Sequence, residues 1–226
     1  MTDSGRAVTI ANRIAAISQQ LPPQTRLVAV TKKVSIASMR QAYQAGIRNF
    51  GESRIQELEE KQAELEDLRD VTWHFIGHLQ RNKAKQAVEL CEWIHSVDSL
   101  ALAHRLNRLA ADRPQRPKIC LQVKILDDPS KYGWSATGLK AELSEFLQCK
   151  NLDIQGLMTI LPLGLSEAQQ LAAFEQTRIL SEQLTQQTDK VLNLKELSMG
   201  MSGDYQLAIQ AGATLVRVGR LIFGER

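Results

Sequence analysis

The stretch RLVAVTKKVS, residues 26–35, continuing into IASMRQAYQAG (36–46), decides how this chain is read. Leu27 to Val30 form an unbroken apolar run, the pattern of a buried strand. From Ser35 onward the spacing becomes helical. Ser35 can cap that helix and Gly46 can end it. A strand leading directly into a helix is a βα unit, and the unit recurs along the chain. NFGES (49–53), TWHFIGHL (72–79), EWIHSVDS (92–99), KICLQVKIL (118–126), LDIQGLMTI (152–160), ELSMGMS (196–202) and TLVRVGRLIFG (214–224) are the further strand candidates. Helical patterns lie between them, at 54–68, about 80–90, 100–111, 139–150, about 166–187 and after Gly203. Strict alternation predicts a parallel sheet with helices outside it. Eight such units in 226 residues predict an α/β fold, a closed (β/α)8 TIM-type barrel. A doubly wound open sheet is the alternative. The last strand candidate has no helical pattern after it, so the N-terminal helix carrying Ile10, Ile14 and Ile17 is expected to cover that gap. Composition does not shift and no linker interrupts the chain, so residues 1–226 are expected to form one domain.

Composition narrows the function classes. Hydrophobic residues make up 43% and charged residues 23%, the balance of an ordinary globule. The net charge of +3 is spread without a basic block, which argues against a nucleic-acid partner. No run approaches the roughly 20 apolar residues of a membrane span, and the N-terminus has no signal pattern. A cytoplasmic location is expected. Cys91, Cys120 and Cys149 are dispersed and form no CxxC pair, so they read as reduced structural thiols.

In a barrel of this kind the chemistry sits at the C-terminal ends of the strands. That rule selects Lys32, Glu52, His78, Ser96, Met158–Thr159, Ser198–Ser202 and Gly219–Arg220. Strand residues alternate faces, so Val28, Val30 and Lys32 share one side and Lys33 the other. Placing the valines inward brings Lys32 to the barrel mouth and turns Lys33 toward the loop. Alternation alone does not choose, because both faces are apolar. A neutral amine is the nucleophile that forms Schiff bases, and desolvation favours the neutral form. The competing reading is two solvated loop lysines.

In the last strand, Leu215, Arg217 and Gly219 share a face. An arginine among apolar strand residues needs a partner: a structural ion pair, or an acidic or nitrogen-bearing ligand. Ser202 and Gly219 fall after strand candidates seven and eight, the usual phosphate site of such barrels. An ordinary helix cap at Ser202 is the plain alternative. WHFIGHLQRNK (73–83) concentrates histidines, but His74 and His78 would stand about 13 Å apart by strand rise, too far to share a metal ion. His78 is expected to line the pocket.

AVTK, FGESRIQE, WHFIGHLQRNK, HSVDS, GLMTI and SMGMSGDYQLAIQAGATLVRVGRLIFGER occur in this order. Together they resemble the pyridoxal phosphate homeostasis proteins (the YggS/PROSC type), over about residues 26–226. The DPSKYGW loop looks like the cyanobacterial branch. The resemblance implies a fold type III barrel like the N-terminal domain of alanine racemase, with pyridoxal 5′-phosphate (PLP) held as an internal aldimine. It implies Lys32 as the aldimine residue and Arg217 facing the pyridine nitrogen. It implies Ser202, Gly219 and Arg220 around the phosphate, with Met199 and Met201 along the ring. Ser53 stands where the family often has asparagine, and Lys124 where it often has Val-Asn; Ser53 can still hydrogen-bond the cofactor.

Two functions follow from the resemblance. One is a PLP-binding protein of vitamin B6 and amino-acid homeostasis, with apo PLP-dependent enzymes as recipients. The other is a PLP-dependent amino-acid racemase. Such racemases take a second base, a tyrosine, from a partner subunit's extra domain. Tyr43, Tyr132 and Tyr205 show no evident match to it, and the chain length leaves no room for that domain. The carrier is therefore the expected function, as a monomer without robust catalysis. A sugar-phosphate barrel enzyme would use the same phosphate site but leave Lys32 without a purpose.

Overall fold

The computed structural model describes residues 9–225; residues 1–8 and Arg226, which the single-domain expectation also takes in, lie outside the described residues. The strands are β1 (Arg26–Val30), β2 (Asn49–Glu52), β3 (Thr72–Phe75), β4 (Trp93–Val97), β5 (Lys118–Lys124), the two-residue β6 (Trp134–Ser135), β7 (Asp153–Met158), β8 (Glu196–Ser198) and β9 (Leu215–Val218). All pairings are parallel. The order β4-β3-β2-β1-β9-β8-β7-β5 is closed by β4 against β5, while β6 hangs from the end of β5. The eight-stranded barrel is therefore complete, and the open doubly wound sheet is excluded. Closure joins sequence extremes, since Val28 pairs with Arg217.

The helices are α1 (Ile10–Ser18), α2 (Ile36–Gln44), α3 (Ile55–Glu64), α4 (Ala84–Leu90), α5 (Leu100–Leu109), α6 (Ala136–Ala141), α7 (Leu143–Phe146), α8 (Glu167–Gln187), α9 (Tyr205–Gln210) and α10 (Arg220–Phe223). Their starts follow local chemistry. Ser35 caps α2 by accepting from the Ser38 amide, and Ser166 and Gln169 form a reciprocal capping box on α8. Gly46, at φ +97°, ends α2 in the left-handed region.

Three expectations about elements are corrected. The last strand ends at Val218, and a short helix, α10, follows it. Gly219 leaves the strand and accepts from the Ile222 and Phe223 amides, so RLIF coils instead of extending. The N-terminal helix α1 does not fill an empty gap; it packs against both α2 and α10, and Arg13 donates to the Ile222 carbonyl at 3.3 Å. The helix expected at 139–150 is two helices broken at Glu142, whose carboxylate accepts from the Trp134 indole at 2.7 Å.

The apolar residues divide by face as alternation requires. Leu27 and Ala29 join the layer between sheet and helices. Val28, Trp93, Cys120, Met158 and Leu215 form a separate cluster inside the barrel. The three cysteines are free and buried, and burial pushes each thiol up in pKa.

Candidate functional site

A cleft of about 780 Å³ opens at the C-terminal ends of the strands. Seven of the residues singled out from sequence line it: Lys32, Ser53, Met201, Ser202, Arg217, Gly219 and Arg220. They come from the ends of β1, β2, β8 and β9, so barrel closure is what gathers them.

Lys32 follows Thr31 at the tip of β1 and is exposed on the cleft wall. Lys33 also reaches the cleft, against the expectation that it turns away. Strand alternation stops at Val30, and Lys33 takes φ +56°, a left-handed conformation uncommon outside glycine. The turn places both residues on the wall of the same opening.

Arg217 is 4% exposed and charged at neutral pH, although burial lowers its pKa to about 10. It donates to Ser198 Oγ at 2.7 Å and to the Thr159 carbonyl at 2.9 Å. Behind Ser198 runs a buried polar chain. His95 Nδ1 lies 2.7 Å from Ser198 Oγ, His95 Nε2 lies 2.8 Å from His74 Nδ1, and His74 Nε2 lies 3.0 Å from Asn49 Oδ1. Burial depresses the pKa of both rings, His74 to about 3 and His95 well below the ordinary value. Both are therefore neutral, each with one donor and one acceptor nitrogen. The Asn49 carbonyl makes His74 Nε2 a donor, which makes His74 Nδ1 an acceptor and His95 Nε2 a donor. His95 Nδ1 then accepts from Ser198, which accepts in turn from Arg217. Every hydrogen points the same way, and the guanidinium is held from behind.

Ser202 and Gly219 meet at the cleft: the Gly219 amide donates to Ser202 Oγ at 3.3 Å. Arg220 begins α10, where the Ile222 and Phe223 amides are taken by the Gly219 carbonyl and the Arg220 amide precedes them at the cleft. Gly200, at φ +90°, turns the chain between Met199 and Met201. A Cβ there would sit 2.6 Å from the Ala208 Cβ and 2.9 Å from the Tyr205 Cα.

The structure places two of the sequence-assigned residues outside the cleft lining. Met199 is fully buried and packs in the layer outside the barrel, because Gly200 reverses the chain after it; Met201 faces the cleft instead. His78 does not line the cleft. β3 ends at Phe75, so strand alternation does not reach residue 78, and His78 binds Asp98 at 2.9 Å while stacking on Tyr132 at 3.6 Å. Lys124 ends β5 in register with Ser135 and is not on the cleft wall either.

Sequence reasoning missed other cleft residues. Asp204 lies on the wall; burial raises its pKa, opposed by the Met201 amide and by Arg217. Ile160 and Leu161 give the wall an apolar side. An acid three residues after Met201, at a helix start, was the available signal for Asp204.

The chain matches the family described as alanine racemase, N-terminal domain, over residues 7–226. It is 51% identical over 206 residues to the pyridoxal phosphate homeostasis protein of Synechocystis, covering 91% of this chain and 94% of that one. To the protein of the same name from Escherichia coli it is 33% identical, covering 91% and 87%. Among solved structures it superposes on PipY of Synechococcus elongatus with PLP bound, at a TM-score of 0.92 and 52% identity, covering 96% of this chain and all of that one. Alanine racemase of Clostridium difficile shares the fold, at a TM-score of 0.73 and 12% identity, with this chain spanning 57% of its length. The barrel, the order of its strand-tip residues and these likenesses agree: the chain belongs to the pyridoxal phosphate homeostasis protein family.

Proposed function

We propose that this chain binds PLP in the cleft at the barrel mouth and serves vitamin B6 and amino-acid homeostasis as a carrier, without robust catalysis of its own. The observation that carries this reading is one cleft walled by a strand-tip lysine, a buried arginine and a serine–glycine pair. The donor set fits the cofactor's three parts. Bound PLP supplies an aldehyde carbon open to an amine, and a ring able to withdraw electrons. Lys32 offers the amine. Arg217, fixed by Ser198 and Thr159, offers N–H groups to a ring nitrogen and keeps its own proton, because a guanidinium is a poor acid. Ser202, Gly219 and the Arg220 amide offer hydrogen bonds to a phosphate. Met201 and Ile160 offer apolar contact, and Ser53 a hydroxyl at the rim.

The racemase alternative requires a second base. Among the described residues no tyrosine lines the cleft. Tyr43 binds Asp70, Tyr205 donates to Gln20 at 2.8 Å, and Tyr132 stacks on His78. That placement favours the carrier. In this reading the protein acts in the cytoplasm as a monomer, and its partners are PLP and apo PLP-dependent enzymes.

Borohydride reduction of the PLP-loaded protein followed by peptide mass mapping tests the anchor. Label is expected on Lys32; label mainly on Lys33, or on no lysine, overturns the assignment. Robust amino-acid racemisation by purified protein, abolished by Lys32→Ala, would overturn the carrier reading.

A further inference from the structure

The turn that presents Lys32 is held from an unexpected place. Thr31, Lys32 and Lys33 join β1 to α2, and the Val34 amide closes the turn on the Thr31 carbonyl at 2.8 Å. The same carbonyl accepts a second hydrogen bond, at 2.6 Å, from the Lys61 ammonium. Lys61 sits on α3, thirty residues away in sequence, and is only 6% exposed. Its ammonium also donates to Glu52 Oε1 and Glu57 Oε1, each at 2.7 Å. All three ammonium hydrogens are therefore used.

The two carboxylates complete the grip. Glu52 is fully buried at the tip of β2, and its Oε1 also accepts from the Thr31 hydroxyl at 2.6 Å. Glu57 Oε1 accepts the Lys33 backbone amide. The residue before Lys32 is thus tied through both its carbonyl and its hydroxyl, and the residue after it through its amide. Lys33 stands at φ +56°, which costs a side-chain-bearing residue energy unless its surroundings hold it there. A buried lysine and a buried glutamate are costly to keep in a fold, yet here they converge on one turn. Glu52 Oε2 is the one buried side-chain oxygen or nitrogen without a partner among the described residues. The cluster is thus not perfectly satisfied packing; its geometry serves the turn.

We propose that Lys61, with Glu52 and Glu57, is a positioning group that holds the β1–α2 turn so that Lys32, rather than its neighbour Lys33, presents its amine to an aldehyde-bearing ligand in the cleft. The inference rests on the cofactor reading above and adds the device that selects between two adjacent lysines. Releasing the turn lets Lys33 compete, because both residues already line the cleft.

The test uses the full chain loaded with PLP, reduced with borohydride, and mapped for the ratio of label on Lys32 to label on Lys33. Lys61→Met keeps the side-chain length and removes the donor. It is expected to lower the ratio by about tenfold, the scale of one charge-assisted hydrogen bond. Lys61→Arg, which keeps the charge and the donors, is expected to recover much of it. A purely structural Lys61 would lower the melting temperature and leave the ratio unchanged, and that result overturns the proposal. Should Lys61→Met not fold, Glu57→Ala carries the test. It removes the Lys33 anchor at a partly exposed position, and an unchanged ratio there overturns the proposal equally. Label on neither lysine in the unsubstituted protein overturns the cofactor reading and this inference together. Label on Lys32 with ratios unmoved in the variants overturns the inference alone.

Discussion

At the scale of single residues, the barrel interior departs from a purely apolar filling. His74, His95, Ser198 and Arg217 occupy it, and each is hydrogen-bonded, as buried polar groups must be. The two neutral histidines have a thermodynamic consequence. Each has a folded-state pKa depressed below its unfolded value of about 6.5, so below that pH the unfolded chain binds protons the folded chain does not. The contribution of these rings is then complete above about pH 6.5 and is lost as the pH falls below it, for His74 down to about pH 3. Glu52 works the other way, because burial raises its pKa and the folded state takes up its proton first. Asp204, whose pKa burial also raises, opposes the rings in the same way, while the depressed carboxyls of Asp67, Asp70 and Asp128 add to the loss in acid. Urea unfolding at pH 7, 6 and 5 is expected to show stability decreasing with acidity. His95→Gln, which keeps a donor and an acceptor but no titration, is expected to flatten the slope by about one proton. A stability flat or rising across that range would contradict the buried neutral pair. Of the nine residues assigned from sequence, those on strand tips in register with the barrel mouth reached the cleft. His78, selected by the strand-tip rule, and Met199, implied by the resemblance, lie off the cleft lining, after a strand end and before a glycine turn respectively.

At the scale of elements, the exits of β2 and β3 must approach closely for Ser53 to stand at the rim. Gly77 permits this: a Cβ there would lie 2.2 Å from the Ser53 carbonyl oxygen, a backbone atom that cannot swing aside. The Gly77 carbonyl in turn accepts from the Ser96 hydroxyl on β4, so three neighbouring exits are joined at one point. Gly77→Ala is expected to cost about 1–3 kcal/mol of stability, read from urea midpoints. Gly203→Ala, with open space around the added methyl, is expected to change stability by less than about 0.5 kcal/mol. Equal effects at the two positions would refute the close-approach argument. The sequence carried the existence of these elements plainly, through βα periodicity and through caps such as Ser35 and Ser166. It did not carry their ends. RLIF is as apolar as a strand, and only its hydrogen bonding to Gly219 makes it α10.

At the scale of the whole molecule, β1 and β9 close the barrel across nearly the full chain, and Thr25 beside β1 donates to the Ala213 carbonyl at 2.8 Å. Contacts so distant in sequence are gained only when the intervening chain is already folded. Residues 1–226 are therefore expected to unfold as one domain. Far-UV circular dichroism and the fluorescence of Trp93, inside the barrel, should give coincident denaturant transitions; two separated transitions would overturn this. The sequence by itself determined the eight βα units, and hence which strand tips to inspect. Those are properties of periodicity, which is local. Only the tertiary structure decided which side of β1 faces inward, that both lysines line the cleft, that a buried Lys61 grips their turn, and that two neutral histidines stand behind Arg217. Those depend on side chains brought together from distant strands, where burial and hydrogen bonding set charge and orientation, and no spacing along the chain encodes them.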